Sequence, residues 1–452
     1  MNSRDIMATA QPGPRSRTLL GLALLAPALL GQMLWSQTAV SADFSGNLKS
    51  QTSFNLQGQG LQQQEWLLDL EYNDSLGNGE LTAIGRLRFD SVDDLNPAGS
   101  SRPDNYSPIG GPQLSGRNGA AGLRELYWQY SGESSFWQIG KQQVVWGEAD
   151  GLKLLDLVNP QDFREFVLDD FDDSRIPLWM LNGQFNVTDN GTLQLLWIPD
   201  TSTHQLAPAS SPFAFTSPTL VPSPVPGVST IVQEAKAPHS LLGDSDFGLR
   251  FSNFVGGWDF SLNYLYHYVD QPVVRAQMQG SDILVTQEYE RSHVLGGTAS
   301  TAFGDWTLRA ELAYETDRYH RTQTALPGVL QADQWSSVIG LDWQGWTDQF
   351  ISVQWFQTSI RDASNDLVNN QREDTLTFLW ESNFLNETVK AKWLQIHSID
   401  HGDGIFRPRL SYNYESNLDI YIAADLFYGN KERLFGQFDN ADRISIGFNW
   451  GF

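Results

Sequence analysis

Trp306-Thr307-Leu308-Arg309-Ala310-Glu311-Leu312-Ala313-Tyr314-Glu315 alternates with a period of two. Trp306, Leu308, Ala310, Leu312 and Tyr314 form one row, and Thr307, Arg309, Glu311 and Glu315 form the other. A strand of this kind has one face in an apolar medium and the other in a polar one. The pattern recurs at Leu418, Ile420, Ile422, Ala424 and Leu426, and at Leu81, Ala83, Gly85, Leu87 and Phe89. In a soluble sandwich the apolar row meets a second sheet. In a transmembrane barrel it meets lipid, and the charged row faces the lumen.

Strand count and length decide between the two. The spacing predicts strands at 43–57, 62–73, 79–91, 121–131, 135–146, 178–188, 191–199, 244–255, 257–270, 287–303, 305–320, 333–345, 347–361, 372–384, 387–398, 404–414, 417–428 and 441–452. Many exceed the roughly five or six residues usual in soluble sheets, and a tilted strand needs about 9–11 to cross a bilayer. Links from even to odd strands are short. Links from odd to even strands are mostly long, with 58–61 and 399–403 as exceptions. The expectation is an all-β fold: a transmembrane antiparallel β-barrel of about 18 strands, 16 being the alternative count, with short turns at one rim and long loops at the other.

Composition agrees. The 452 residues include 53 acidic and 29 basic side chains, 16 Trp, 25 Phe and no Cys. The acidity argues against nucleic acid as a partner. The missing Cys exclude disulfides and thiolate sites. Mean hydropathy is −0.34, and no apolar run is long enough for a helical span. Residues 1–42 read as a signal peptide: Arg4, Arg15 and Arg17 precede an apolar stretch from Leu19 to Leu30 and a Val40-Ser41-Ala42 end. Residues 43–452 are then a single barrel. Tryptophans near strand ends suggest interfacial girdles. The chain ends on an alternating strand with Phe448, Trp450 and Phe452, similar to the C-terminal signal read by the barrel-assembly machinery.

Two loops stand apart. Segment 147–177 carries nine acids (Glu148, Asp150, Asp156, Asp162, Glu165, Asp169, Asp170, Asp172, Asp173) and three bases (Lys153, Arg164, Arg175), interleaved with Leu, Val and Phe. A segment both acidic and apolar is expected to fold inward as a constriction; a solvated flap is the alternative. Asn159-Pro160 ahead of 161–166 predicts a short helix there. Lys141 is expected to face inward beside this loop, and Arg86, Arg88, Arg250, Arg309 and Glu311 to line the lumen. Asp169–Asp173 lacks the spacing of a calcium loop, so no metal and no cofactor is assigned. Segment 200–243 is Pro-rich and apolar, and reads as an external loop. Catalytic patterns are weak: His397 and His401 have helical ligand spacing but lie at a predicted strand end.

Gly140-Lys141-Gln142-Gln143-Val144-Val145-Trp146-Gly147-Glu148-Ala149-Asp150-Gly151, Val158-Asn159-Pro160 and Ser174-Arg175-Ile176-Pro177 resemble a large proteobacterial family of outer-membrane barrels. That family is labelled only as a domain of unknown function and is distantly similar to alginate-export porins. The similar stretch runs from about Leu123 to Val187. The resemblance implies that the Asn-Pro loop enters the barrel. Family members often sit beside transporters thought to move hydrophobic compounds, which implies passage and not catalysis. The family supplies no catalytic residues to carry over. The expectation is an outer-membrane channel for small or hydrophobic molecules. Lipid, lipopolysaccharide and an inner-membrane transporter are its expected partners; a lipid exporter, a polysaccharide conduit and an outer-membrane hydrolase are the rivals.

Overall fold

The computed structural model describes residues 42–452 apart from 59, 94, 97–104, 223–226, 234, 236 and 362–365. The expected signal peptide, but for Ala42, lies outside the described residues.

Eighteen long strands form one closed antiparallel sheet. In chain order they are β1 (Asp43–Asn55), β2 (Gly60–Leu76), β3 (Gly79–Asp90), β4 (Gly119–Ser131), β5 (Ser135–Gln142), β6 (Leu178–Thr188), β7 (Gly191–Ile198), β8 (Asp246–Val255) and β9 (Trp258–Tyr268). The second half comprises β10 (Arg291–Phe303), β11 (Trp306–Arg321), β12 (Val329–Trp343), β13 (Gln349–Ile360), β14 (Arg372–Phe384), β15 (Val389–Ser398), β16 (Gly404–Glu415), β17 (Leu418–Tyr428) and β18 (Arg443–Gly451). Each strand pairs with its sequence neighbour, and β1 pairs with β18 to close the ring. Closure leaves no exposed sheet edge, which is the condition for a sheet to sit in an apolar medium.

The alternation becomes an inside-out burial pattern. Outward Leu262, Leu295, Leu312, Ile339 and Val353 are exposed, while inward Ser261, Asn263, Thr298, Glu311 and Gln354 are buried. Aromatic rings gather at the short-turn rim. Trp306 lies 6.1 Å from Trp343, which lies 4.7 Å from Trp346. At the closing seam Phe452 and Gly46 exchange backbone hydrogen bonds of 2.8 and 2.9 Å. A Cβ on Gly46 would stand 2.4 Å from the Phe452 ring, so glycine lets the terminal aromatic lie close over the β1 backbone. Phe448 packs edge-on against Trp66 at 5.9 Å, and Trp450 lies 5.0 Å from Phe452.

Two features of the long-loop rim were not expected. Val273–Gln279 and Asp282–Glu288 form a hairpin that Thr230–Val232 joins as a third strand. The Pro-rich segment also does not simply stand outside. Phe213 is buried within a cluster containing Phe166, Phe427, Phe435 and Phe438, and Gln205–Leu206 pairs with Asp162–Phe163.

Candidate functional site

Segment 143–177 leaves β5 and crosses the barrel interior before entering β6. Its attachments come from strands all round the ring, and its two chemical characters are separated in space. The apolar side, Leu154, Leu155 and Val158 with Val144 and Trp146, packs against Met180, Leu196, Leu265, Val294, Ala313, Val338 and Phe356. These wall residues lie on β6, β7 and β9 to β13 and face inward, where alternation alone predicts polar side chains. Leu155 fits because residue 296 is glycine: a Cβ there would come within 2.5 Å of its Cδ2.

The acidic side meets the opposite half of the wall. Asp173 binds Arg86 of β3 at 2.6 Å and Lys49 of β1. Arg86 also holds Asp69 of β2. Arg88 of β3 contacts Glu65 at 2.6 Å, Asp162 at 3.2 Å and Asp169 at 3.9 Å. Arg164 forks onto Asp162. Glu165 receives Arg443 of β18 at 2.9 Å, and Arg443 also binds Asp425 of β17 at 2.8 Å. Arg407 of β16 donates to the carbonyls of Val167 and Leu168 at 3.1 and 2.6 Å. Within the segment, Arg175 bridges Asp156 and Asp172, and Lys153 lies 3.5 Å from Asp156.

A third set of anchors holds the segment's start. Glu311 of β11 accepts the backbone N–H groups of Glu148 and Leu155. Arg309 binds Asp150 and, at 2.8 Å, Asp342 of β12. The Asp150 N–H reaches Gln354 of β13 at 3.0 Å. Thr298 of β10 donates to Glu148 at 3.2 Å, and Arg250 of β8 donates to the Val145 carbonyl at 3.3 Å. Of the nine acids, only Glu148 and Asp170 have no cation within ion-pair distance among the described residues. The segment's negative charge is thus largely neutralised.

Burial and neighbouring charge set the acidity of these loop groups. Burial pushes Asp169 up to about 7, helped by the Glu165 charge and opposed by Arg88. Burial acts the same way on Asp162, but Arg164 and Arg88 outweigh it and hold that carboxyl down at about 2. Burial lowers Lys153 to about 8 against the pull of Asp156.

Two sequence expectations are corrected. Lys141 does not point at the constriction. It shares the outward register of Leu126 and Trp179, its partners on β4 and β6, while Gln138 and Gln142 face inward. Its ammonium donates to the Leu123 carbonyl at 2.9 Å. Residues 161–166 form no helix, because Asp162–Phe163 pairs as a strand and Phe166 takes a φ of 54°. The helical turn of the segment is Phe171–Ser174.

Between the segment and strands β1–β3 and β15–β18 a cavity of about 320 Å³ remains. Lys49, Lys392, Arg409, Asp150, Asp169 and Asp170 are among the residues that line it. Sequence reasoning missed Lys49, Arg407 and Arg443 as anchors. Their signal was available: each is a charged residue in the inward row of an alternating strand.

Residues 88–396, more than half of the chain, match the family model described as Protein of unknown function (DUF1302). No curated protein matches in sequence. Among solved structures the chain is similar to Acinetobacter baumannii OccAB3, at 9% identity and a TM-score of 0.50, covering 91% of this chain and 99% of that one. It is also similar to Pseudomonas aeruginosa OpdK, crystallised with vanillate, at 11% identity and a TM-score of 0.47, covering 91% and 98%. The outer membrane channel DcaP of Acinetobacter baumannii aligns over 91% of this chain and 97% of its own, at 9% identity and a TM-score of 0.42.

Proposed function

Since this chain belongs to the DUF1302 family of unknown function, we propose from its own geometry that it is an outer-membrane channel whose lumen is narrowed by segment 143–177. The observation that carries this reading is the two-sided seating of the segment. It is packed on the apolar half of the wall and ion-paired to the charged half, with a charge-lined cavity beside it, and this supports a fixed segment with a polar route past it. A loop held by several arginine–carboxylate contacts keeps one geometry, which is what a size filter requires. Small solutes would pass by diffusion through a lumen whose opposed charges select weakly for sign. On this reading the apolar outer face would sit in outer-membrane lipid and lipopolysaccharide, and Phe448, Trp450 and Phe452 would be read by the assembly machinery. Coupling to an inner-membrane transporter is compatible with this route.

Passage is favoured over catalysis. None of the seven histidines hydrogen-bonds a serine hydroxyl among the described residues: His293 pairs with Tyr264, His397 with Tyr428 and His401 with Glu373. Purified protein added to a planar lipid bilayer in KCl tests the reading. Discrete conductance steps are expected, and a protein that inserts as folded barrel without steps would overturn it.

A further inference from the structure

The wall is interrupted between β4 and β5. β4 runs from Gly119 to Ser131, yet it pairs with β5 only from Leu126 onward. Above that point its free edge is covered by an external strap. Leu114 and Ser115 pair with Ala121 and Ala120, and Gln113 accepts the Leu123 N–H. The strap continues to the far side of the gap, where Trp179 donates to the Ile109 carbonyl at 2.8 Å. The break coincides with a bulge. The register between β3 and β4 shifts between Ile84 and Gly85, leaving Arg124 unpaired. A bulge re-aims the extra side chain, and here it turns Arg124 inward, to the backbone carbonyls of Asp172 and Arg175.

A cavity of about 110 Å³ occupies the break and is lined from both faces of the wall. Arg86, Arg88, Arg124, Arg164 and Arg175 belong to the lumen side with two carboxylates, Asp162 and Asp173, and Leu123 and Lys141 belong to the outer register, so cations outnumber acids in the lining. Arg124 and Lys141 have no carboxylate within ion-pair distance among the described residues, whereas Arg86, Arg88, Arg309 and Arg443 of the lumen are paired. A lysine in the outward register of a barrel strand is costly against lipid, and the strap covers this one, leaving it 5% exposed. On the outer surface a groove of about 550 Å³ adjoins the cavity, sharing Ser115, Ala120 and Ala121. Trp66, Leu87, Phe89 and Leu114 make that groove apolar.

We propose that this break is a lateral portal for an aliphatic carboxylic acid, whose chain lies in the outer groove and whose carboxylate sits between Arg124 and Lys141 on the way between the outer leaflet and the lumen. The proposal rests on the channel reading and names a substrate class and route for it. The small cationic cavity suits a carboxylate with a few methylenes and excludes a phosphorylated sugar, so a fatty acid and not lipid A is the occupant. The strap, joined to β4 by two ladder pairs and the Gln113–Leu123 and Gly116–Gly119 hydrogen bonds, to Asn96 through Ser115, and to β6 by one indole, is the element that would move.

The test uses purified protein in phosphatidylcholine vesicles and a twelve-carbon fatty acid carrying a diazirine. Light-induced labelling, mapped by mass spectrometry, is expected to concentrate on 109–124. Lauric acid should suppress it and dodecanol at the same concentration should not. Arg124→Gln should weaken labelling there about tenfold, the scale of one charge-assisted contact, and Arg124→Lys should restore much of it. Label spread evenly around the apolar wall, equal competition by dodecanol, or no effect of Arg124→Gln would each overturn the portal. KCl conductance of the same preparation separates the two claims. Steps without portal labelling sink the portal alone, and portal labelling without steps sinks the channel.

Discussion

Glu311 accepts the backbone N–H of Leu155 at 3.1 Å, joining the middle of β11 to the deepest apolar residue of the inward segment. Its other carboxylate oxygen takes the N–H of Glu148. Glu311→Ala leaves two interior N–H groups without this partner, at a cost of about 1–3 kcal/mol each. Single-channel records of this variant should show added flicker between conductance levels as 147–155 loosens. Glu311→Gln, which keeps an acceptor, should flicker less.

Arg443 is 2% exposed and joins Glu165 of the segment to Asp425 of the wall. Arg443→Met strands the Glu165 carboxylate, while Asp425 keeps Arg407 at 2.8 Å, a loss of roughly 3–5 kcal/mol by analogy with broken buried pairs. Thermal unfolding in detergent should occur at lower temperature. Adding Glu165→Gln should recover part of the loss, because the stranded charge is gone. A double variant as unstable as the sum of two independent losses would refute the coupling.

Ion selectivity should depend on pH through Asp169. Its carboxyl is raised to about 7 by burial and by Glu165. A raised carboxyl favours the neutral acid in the folded state. That contribution is complete below the ordinary carboxylate value and is lost as pH rises through about 7. Between pH 5 and pH 8 the passage gains one negative charge, and reversal potentials in a KCl gradient should shift toward K⁺. Asp169→Asn should flatten the profile, and a flat wild-type profile would remove Asp169 from the passage.

Much of the architecture was legible because period two is a strong signal. Trp306 to Glu315 specifies its inner and outer faces residue by residue, and the alternation of short and long links orders the strands. The hairpin at 273–288 carried a readable cue in its two-residue Gly280-Ser281 turn. Other features depend on partners remote in sequence. Leu265, Val294 and Val338 break the polar-inside rule because Leu154 and Leu155 fold back to cover them, and nothing near those wall residues announces this. Lys141 was misplaced because β5 is short and ends at the wall break, so its alternation has too few positions to fix the phase. The acids of 147–177 were visible as a cluster and Arg86 and Arg88 as lumen cations, but which acid each would hold was not, since Arg86, Arg88 and Arg443 come from strands at both ends of the chain.

The most direct measurement is the single-channel conductance of a variant lacking residues 152–172, compared with the full chain in the same salt. Removing the part of the segment that fills the lumen should raise conductance several-fold, in the direction of an open pore, and should abolish the pH shift carried by Asp169. An unchanged conductance in a variant that still folds as a barrel would place the segment outside the ion path and contradict the account.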